Sequence, residues 1–302
     1  MKVLLLGATG LIGPDLLSTL LEDGHFVFAS SRSFQQLTHK NLSWITTDFT
    51  LHGISHLLDL PAVDSIILNA ASLATTHFED TSNQRSVNIE LTEKILASLH
   101  HWKPQKILYM SSFNFLQKPI PPLITENAPL APLTFYGLSK YWSELLLTQY
   151  SSQKNVVPII FRVSSPVSFD FNRLHQTVVK KMILNAQSGQ AIHIYGSGSR
   201  SQNFIATKDI ARAALLAIKS SSAQGIYNIA SQTPLSMLEL AQIISQKYGT
   251  PIESLPSEST EEQWNISSQK AIDHFSYTPL YSTSKAVIQH LLNCLPNENR
   301  NS

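Results

Sequence analysis

The chain has 302 residues, 43% of them hydrophobic and 14% charged, with a formal net charge of +1. That charged share falls below the ~25% of ordinary globular domains, and like charges never run beyond two or three residues, which argues against nucleic-acid binding through a basic field. No stretch approaches the ~20 apolar residues of a membrane span, and the one cysteine, Cys294, cannot form an internal disulfide and fits a reducing, cytoplasmic setting.

Lys2-Val3-Leu4-Leu5-Leu6 is a continuous apolar run of strand length, suited to a strand buried on both faces of a parallel sheet. It breaks at Gly7, and Gly10 and Gly13 follow at intervals of three. Leu16, Leu17, Leu20 and Leu21 then recur at helical spacing. A strand, a glycine turn and a helix put free backbone N–H groups and a positive dipole end where a pyrophosphate fits. The spacing is G-x-x-G-x-x-G rather than the G-x-G-x-x-G of ordinary dinucleotide sheets, so the glycines alone are a weak signal, and a turn without a ligand is the plainer reading. A secretory signal is not expected here: the apolar core is short, interrupted by glycine, and followed by Glu22-Asp23 without a small-residue cleavage site.

A second strand is predicted over His25–Ala29, ending in Ser30-Ser31-Arg32. NAD-selective sheets carry an acid here for the ribose 2′-OH. With no acid present and Arg32 able to pair with a 2′-phosphate, NADP(H) is expected over NAD(H); the plainer reading of Arg32 is a solvated surface residue. Further strands are expected at Leu42–Thr47, followed by Asp48-Phe49, at Val63–Asn69, running into Ala70-Ala71, and at Gln105–Ser111. A helix is expected from about Asn83 to His101. A loop with five prolines, of a length that is usually functional, leads to Tyr136-Gly137-Leu138-Ser139-Lys140, which opens a helix before a sixth strand at Val156–Val163. This rhythm predicts an α/β, doubly wound parallel Rossmann sheet. Beyond Pro166, helices at about Asn172–Gln187, Leu238–Tyr248 and Ser284–Leu295 suggest a smaller, mostly helical C-terminal part, while a helix at Thr207–Lys219 and a strand at Gly225–Ile229 should rejoin the sheet. The expected organisation is residues 1–166 with 204–230 binding a dinucleotide, 167–203 and 231–295 binding substrate, and 296–302 a flexible tail.

Tyr136 and Lys140 share one helix face. A nearby ammonium lowers the pKa of a phenol, which titrates near ~10 alone, so that it can exchange a proton with a substrate oxygen near neutral pH. Ser112, at the carboxyl end of the fifth strand, could hold the same oxygen. Y-x-x-x-K by itself is common, and an aromatic ring packed on a lysine stem is its plainer meaning. His52 and His56 lack a third ligand at suitable spacing, so no metal site is expected. His100-His101 suits a helix C-terminus.

Taken together, these motifs resemble the extended short-chain dehydrogenases/reductases, the NAD-dependent epimerase/dehydratase family, over nearly the whole chain. Gly7-Ala8-Thr9-Gly10-Leu11-Ile12-Gly13 is similar to the family's cofactor fingerprint, Asp48 to the aspartate that meets the adenine, and Asn69-Ala70-Ala71 to the segment along the cofactor. Asn88, Arg162 to Pro166, Asn203-Phe204-Ile205, Asp209 and Tyr227-Asn228-Ile229 also fit. The resemblance implies that Ser112, Tyr136 and Lys140 are catalytic. It further implies that Tyr136 and Lys140, with Gly7, Thr9, Gly10, Leu11, Ile12, Gly13, Ser31, Arg32, Asp48, Phe49, Asn69, Ala70 and Ala71, bind the cofactor, and that the protein is a homodimer through the helices around Leu91–Leu99 and after Tyr136. Hydride would pass between the nicotinamide and the carbon bearing the reacting oxygen, with Lys140 also on the nicotinamide ribose.

Two departures narrow the substrate. Family dehydratases carry Asp-Glu directly after the serine, where this chain has Phe113-Asn114, so dehydration is disfavoured. Nucleotide-sugar members carry an arginine at the position of Gln202; Arg200 either replaces it, with Asn203 as a second substrate contact, or the substrate is no diphospho-sugar. The expected function is reduction or epimerisation of a keto/hydroxyl carbon of a sugar nucleotide. The alternatives are a ketone reductase of another small metabolite and a non-catalytic NADP(H)-binding regulator, which would have no need of Ser112, Tyr136 and Lys140 together.

Overall fold

The computed structural model describes residues 1–72, 82–174, 177–257 and 262–296. Seven strands, β1 (Lys2–Leu6), β2 (Phe26–Ser31), β3 (Leu42–Thr46), β4 (Ser65–Leu68), β5 (Lys106–Ser112), β6 (Val157–Val163) and β7 (Gly225–Ile229), make one sheet in the order β7-β6-β5-β4-β1-β2-β3. All neighbours run parallel. The strand order reverses between β1 and β4, which opens a crevice at the carboxyl edge there, the place where open α/β sheets bind ligands.

Alternate residues of β1 explain its unbroken apolar run. Val3 and Leu5 pack with Leu16, Leu17 and Leu20 of α1 (Gly13–Glu22) on one face. Leu4 and Leu6 pack on the other with Leu91, Ile95 and Leu96 of α2 (Leu91–Ala97) and Leu147 of α3 (Phe135–Lys154). Each such side chain contributes about 1.5–3 kcal/mol of burial. Beyond the sheet, α4 (Val178–Gln187), α6 (Met237–Tyr248) and α8 (Ser284–Cys294) share a separate core through Ile183, Leu240, Ile244, Val287 and Leu291. α5 (Thr207–Lys219) covers the sheet beside α1 with Ile210, Ala213, Ala214 and Ala217. Its buried Asp209 accepts the backbone N–H groups of Leu280 (2.5 Å) and Tyr281 (3.1 Å), which ties the C-terminal part to the sheet. Burial raises the Asp209 pKa, against those two hydrogen bonds.

Several elements differ from the expectations. The helix expected from Asn83 to His101 is broken into a π-helical stretch, Arg85–Glu90, then α2, then a short turn at Leu99–Trp102. The wide π turn holds Asn88 where its side chain pairs with both backbone groups of Ser72 (2.8 and 2.9 Å). The helix expected at Asn172 starts at Val178, because Thr177 caps it (Lys180 N to Oγ1, 3.4 Å), while Asp170 caps a separate 3-10 turn at Phe171–Arg173. α7 (Gln269–Phe275) places Ala271 and Phe275 in the sheet's core rather than in the C-terminal part. The short strands Ser165–Val167, Ser201–Gln202, Phe204–Ala206, Leu235–Ser236 and Ile252–Leu255 carry no periodicity that a sequence reading could find. Among the described residues no helix is long and apolar enough to cross a membrane, and no cluster of metal-ligating side chains occurs. The expected tail past Pro296 lies outside the described residues.

Candidate active site

The glycine turn joins β1 to α1 at the crevice. Gly7 has φ +84°, and a Cβ there would stand 2.7 Å from the backbone of Ala70, so only glycine lets the ends of β1 and β4 meet. Gly7 N donates to Ser30 Oγ (2.9 Å), and Asn69 Nδ2 donates to Gly7 O (2.8 Å), binding β2 and β4 to the turn. A Cβ on Gly13 would collide with the carbonyls of Gly7 and Ala8. Gly10 is different: it is exposed, and a Cβ there would meet nothing nearer than Gly7 O at 3.6 Å. The fold itself does not need glycine at position 10, and the turn is open to a ligand there. Pro14 opens α1 and no side chain caps its first turn, so an anion can. Thr9 lies in this turn, its carbonyl accepting Arg173 Nη1 at 3.3 Å. Leu11 packs on the core of the C-terminal part, and Ile12 packs on the sheet's core. A dinucleotide's pyrophosphate fits this cradle.

The other expected cofactor residues lie along the same sheet edge. Ser31 ends β2, its Oγ accepting Gln35 Nε2 (3.0 Å), and Arg32 beside it is exposed. Asp48 follows β3. Its carboxylate accepts Thr50 Oγ1 (2.6 Å) and Thr50 N (2.8 Å), which with the Arg32 charge hold its pKa down. Phe49 turns its ring into the core, so only its backbone could meet a ligand. Asn69 and Ala70 border the glycine turn, with Asn69 working as a clip to Gly7, and Ala71 follows them, exposed.

Ser112 ends β5, and α3 begins beside it. Gly137 permits that approach, since a Cβ there would strike the carbonyl of Asn114. Tyr136 and Lys140 therefore stand in the first turns of α3, next to Ser112. The expectation that the lysine makes the phenol acidic is not met in the protein alone. Burial pushes the Tyr136 pKa up to about 12, against a hydrogen bond from Ser112 that lowers it. Lys140 is 2% exposed. Burial pulls its pKa down to about 7, the Glu144 charge opposing. Its Nζ donates to Met110 O (2.8 Å) and lies over the Tyr109 ring, 4.8 Å from the centre. An ammonium committed to a carbonyl, 6.0 Å from the centre of the Tyr136 ring, does not outweigh the loss of water around the phenol.

Two features escaped the sequence reading. Asn88 Nδ2 reaches Ser139 Oγ (3.2 Å), and Ser143 Oγ donates to Asn88 O (2.6 Å), so the π turn braces α3. Arg162 is the second. It forms a buried ion pair with Glu144 (Nη2–Oε2, 2.8 Å), and Ser111 Oγ donates to the same carboxylate at 2.5 Å. The one available signal was the Lys140–Glu144 spacing of four on a helix.

Of the two expected substrate contacts, one stands apart from a ligand. Asn203 is buried, with Nδ2 on Ser231 O (2.9 Å) and Oδ1 on Ser231 N (3.0 Å), so its amide is a structural clip. Arg200 is half-buried and donates to Gln202 Oε1 (3.2 Å), while Gln202 Nε2 donates to Ser165 Oγ (2.5 Å). The loop with five prolines is tethered, by Ile124 N to Asn265 O (2.8 Å) and Arg162 Nη1 to Glu126 O (2.9 Å), and Phe113 is packed in a core with Trp264.

Comparison with known proteins bears on the family and the fold. The model of the NAD dependent epimerase/dehydratase family matches residues 3–230. The human dTDP-D-glucose 4,6-dehydratase is 26% identical over 280 residues, covering 87% of this chain and 77% of that protein. The structure of UDP-glucuronic acid 4-epimerase from Bacillus cereus, in complex with UDP-glucuronic acid and NAD, superposes with a TM-score of 0.83 at 20% identity, over 97% of this chain and 99% of that one. UDP-glucose 4-epimerase from Thermotoga maritima, solved with UDP-glucose, gives 0.81 at 16%, over 97% and 98%. With the glycine cradle, the parallel sheet and the family match in agreement, the chain belongs to the NAD dependent epimerase/dehydratase family, extended short-chain dehydrogenases/reductases that work with a nicotinamide cofactor.

Proposed function

We propose that this enzyme reduces a keto group, or epimerises a hydroxyl-bearing carbon, of a sugar nucleotide. The observation that carries this reading is the meeting of Ser112, Tyr136 and Lys140 at the carboxyl edge of the sheet, beside a glycine turn open at Gly10. Bound nicotinamide supplies the hydride chemistry. Tyr136 holds the proton exchanged with the substrate oxygen: at a pKa of about 12 the phenol is protonated at neutral pH and ready to donate. Ser112 holds that oxygen by a hydrogen bond, and the Lys140 charge stabilises the negative charge it gains. Lys140 is also the group on the nicotinamide ribose. Phe113 and Asn114 cannot titrate as an acid–base pair, which favours this chemistry over dehydration, although dehydratases are among the relatives.

The sugar-nucleotide class is supported by the names of the relatives and by Arg200, which the Gln202 amide links to Ser165 near the end of β6. Gln202, lacking charge, favours the second reading, a reductase of a ketone without a diphosphate. Residues 1–166 and 204–230, with α7, serve the cofactor, and the remainder of 167–295 serves the substrate. NADP(H) is the preferred form, on the strength of Arg32 and the absence of an acid at the end of β2, although the Bacillus neighbour was solved with NAD. Arg32→Ala should narrow the NADPH–NADH affinity gap by up to about 1.4 kcal/mol, a factor of ten; equal affinities in the unmodified protein would refute the preference. Cys294, an exposed free thiol, fits a reducing cytoplasm. The protein acts as a homodimer and needs neither nucleic acid nor a membrane.

Turnover of a panel of nucleoside-diphosphate sugars and of simple ketones, measured with Tyr136→Phe alongside, tests the reading. The variant should lose about 10²–10⁴-fold in kcat while keeping cofactor affinity. Turnover indifferent to the phenol would discard it, and turnover of ketones alone would select the second reading.

A further inference from the structure

Glu144 lies one turn past Lys140 on α3 and is 2% exposed, so its carboxylate has left water almost completely. Both oxygens are occupied. Oε1 accepts Ser111 Oγ (2.5 Å) and Arg162 Nε (3.2 Å); Oε2 accepts Arg162 Nη2 (2.8 Å) and Nε (3.3 Å). Arg162 spends Nη1 on Glu126 O (2.9 Å), and Glu126 Oε1 takes Asn228 N (2.8 Å). The pair thus joins α3, the end of β5, β6, the proline loop and β7 at one point. Ser111 is the neighbour of Ser112, and Arg162 is its register partner across β5–β6. A buried ion pair is weak evidence of stability, because the cost of desolvating two charges roughly offsets their attraction. Stability alone therefore does not account for a carboxylate here.

We propose that Glu144 is a positioning residue: held by Ser111 and Arg162, it fixes where Ser112 stands and keeps the proton on Lys140, without touching substrate or cofactor. Among the described residues, Lys140 Nζ lies over the rings of Tyr109 from β5 and Tyr136 from its own helix, while the Glu144 charge acts on it from one helical turn away, with Arg162 of β6 paired to that carboxylate on its far side. Of these, the carboxylate brings the one full opposite charge; the Tyr109 ring face and Met110 O favour the ammonium more weakly. Burial acts the other way and brings Lys140 near neutrality as a base, so losing that charge would release its proton at lower pH.

The inference rests on the proposed function, but the primary measurement does not. Lys140 is titrated in the cofactor-free protein by NMR of ¹³Cε-labelled lysine, the signal being identified by its loss in Lys140→Met. Two variants are compared with the unmodified protein: Glu144→Gln, and the charge-free pair Glu144→Met with Arg162→Met, which folds even if an unpaired Arg162 does not. The Lys140 midpoint should fall by about one pH unit or more in Glu144→Gln, and by a smaller amount in the double variant, where loss of the more distant Arg162 charge offsets part of the shift. Where a substrate is in hand, kcat should drop at least about tenfold with KM little changed, and the alkaline fall of kcat/KM should move to lower pH. An unmoved midpoint in the folded double variant overturns the proposal, and so does unchanged kcat with an unmoved pH profile. Absence of any turnover in the unmodified protein would strike the functional reading instead, leaving the titration to decide on Glu144.

Discussion

Tyr136 is pulled two ways, and the structure settles which pull wins before any ligand arrives. Burial raises the phenol and Ser112 lowers it, leaving the group protonated throughout the physiological range. Lys140 carries the larger thermodynamic consequence. Its pKa falls from 10.5 in the unfolded chain to about 7 in the folded one. Between those values the unfolded chain binds more protons, so this residue makes stability rise with pH from about 7 to 10.5, and its burden is greatest below 7. Lys140→Met should therefore stabilise the cofactor-free protein on the order of 3 kcal/mol at acidic pH. The gain should fade toward about pH 10. Urea unfolding across that range would read it, and a gain independent of pH would contradict the shift. Sequence spacing identified both residues but not their acidity. A motif states which groups are neighbours, whereas pKa depends on how much water is excluded and on whether Met110 O takes the ammonium.

At the scale of elements, the first strand, glycine turn and helix were legible because their physics is local. A strand apolar on both faces, glycines at the bend and leucines at helical spacing each appear within a few residues. The three glycines nevertheless serve different purposes, and substitution separates them. Gly13→Ala forces a collision with backbone carbonyls and should cost about 1–3 kcal/mol, seen as a lower melting temperature. Gly10→Ala should leave the melting temperature of the cofactor-free protein almost unchanged and weaken cofactor binding by calorimetry; intact affinity would mean that the phosphate lies elsewhere. The π turn around Asn88 was not legible, because the partner of its side chain is Ser72, 16 residues earlier in the loop after β4. The ion pair of Arg162 was hidden for the same reason. Its partner, Glu144, is a helix residue whose inward face depends on how α3 docks.

Across the whole molecule, α3 presents Leu138, Trp142 and Leu145 outward, each close to half exposed and spaced along one stripe. This face suits burial against a second copy, as the homodimer proposal requires. Sedimentation should give a dimer that Trp142→Glu with Leu145→Glu converts to a monomer while the circular dichroism stays unchanged. A monomer in the unmodified protein would end that proposal. The sheet order bears on how the chain is made. β6 ends at Val163, but the strand that covers its outer edge does not begin until Gly225. During synthesis, an apolar strand with unsatisfied N–H and C=O groups must wait roughly 3–12 s for its cover. Slow translation between these two points would lengthen that wait, and fast translation would shorten it, so codon choice over this interval should govern how much of the protein escapes aggregation.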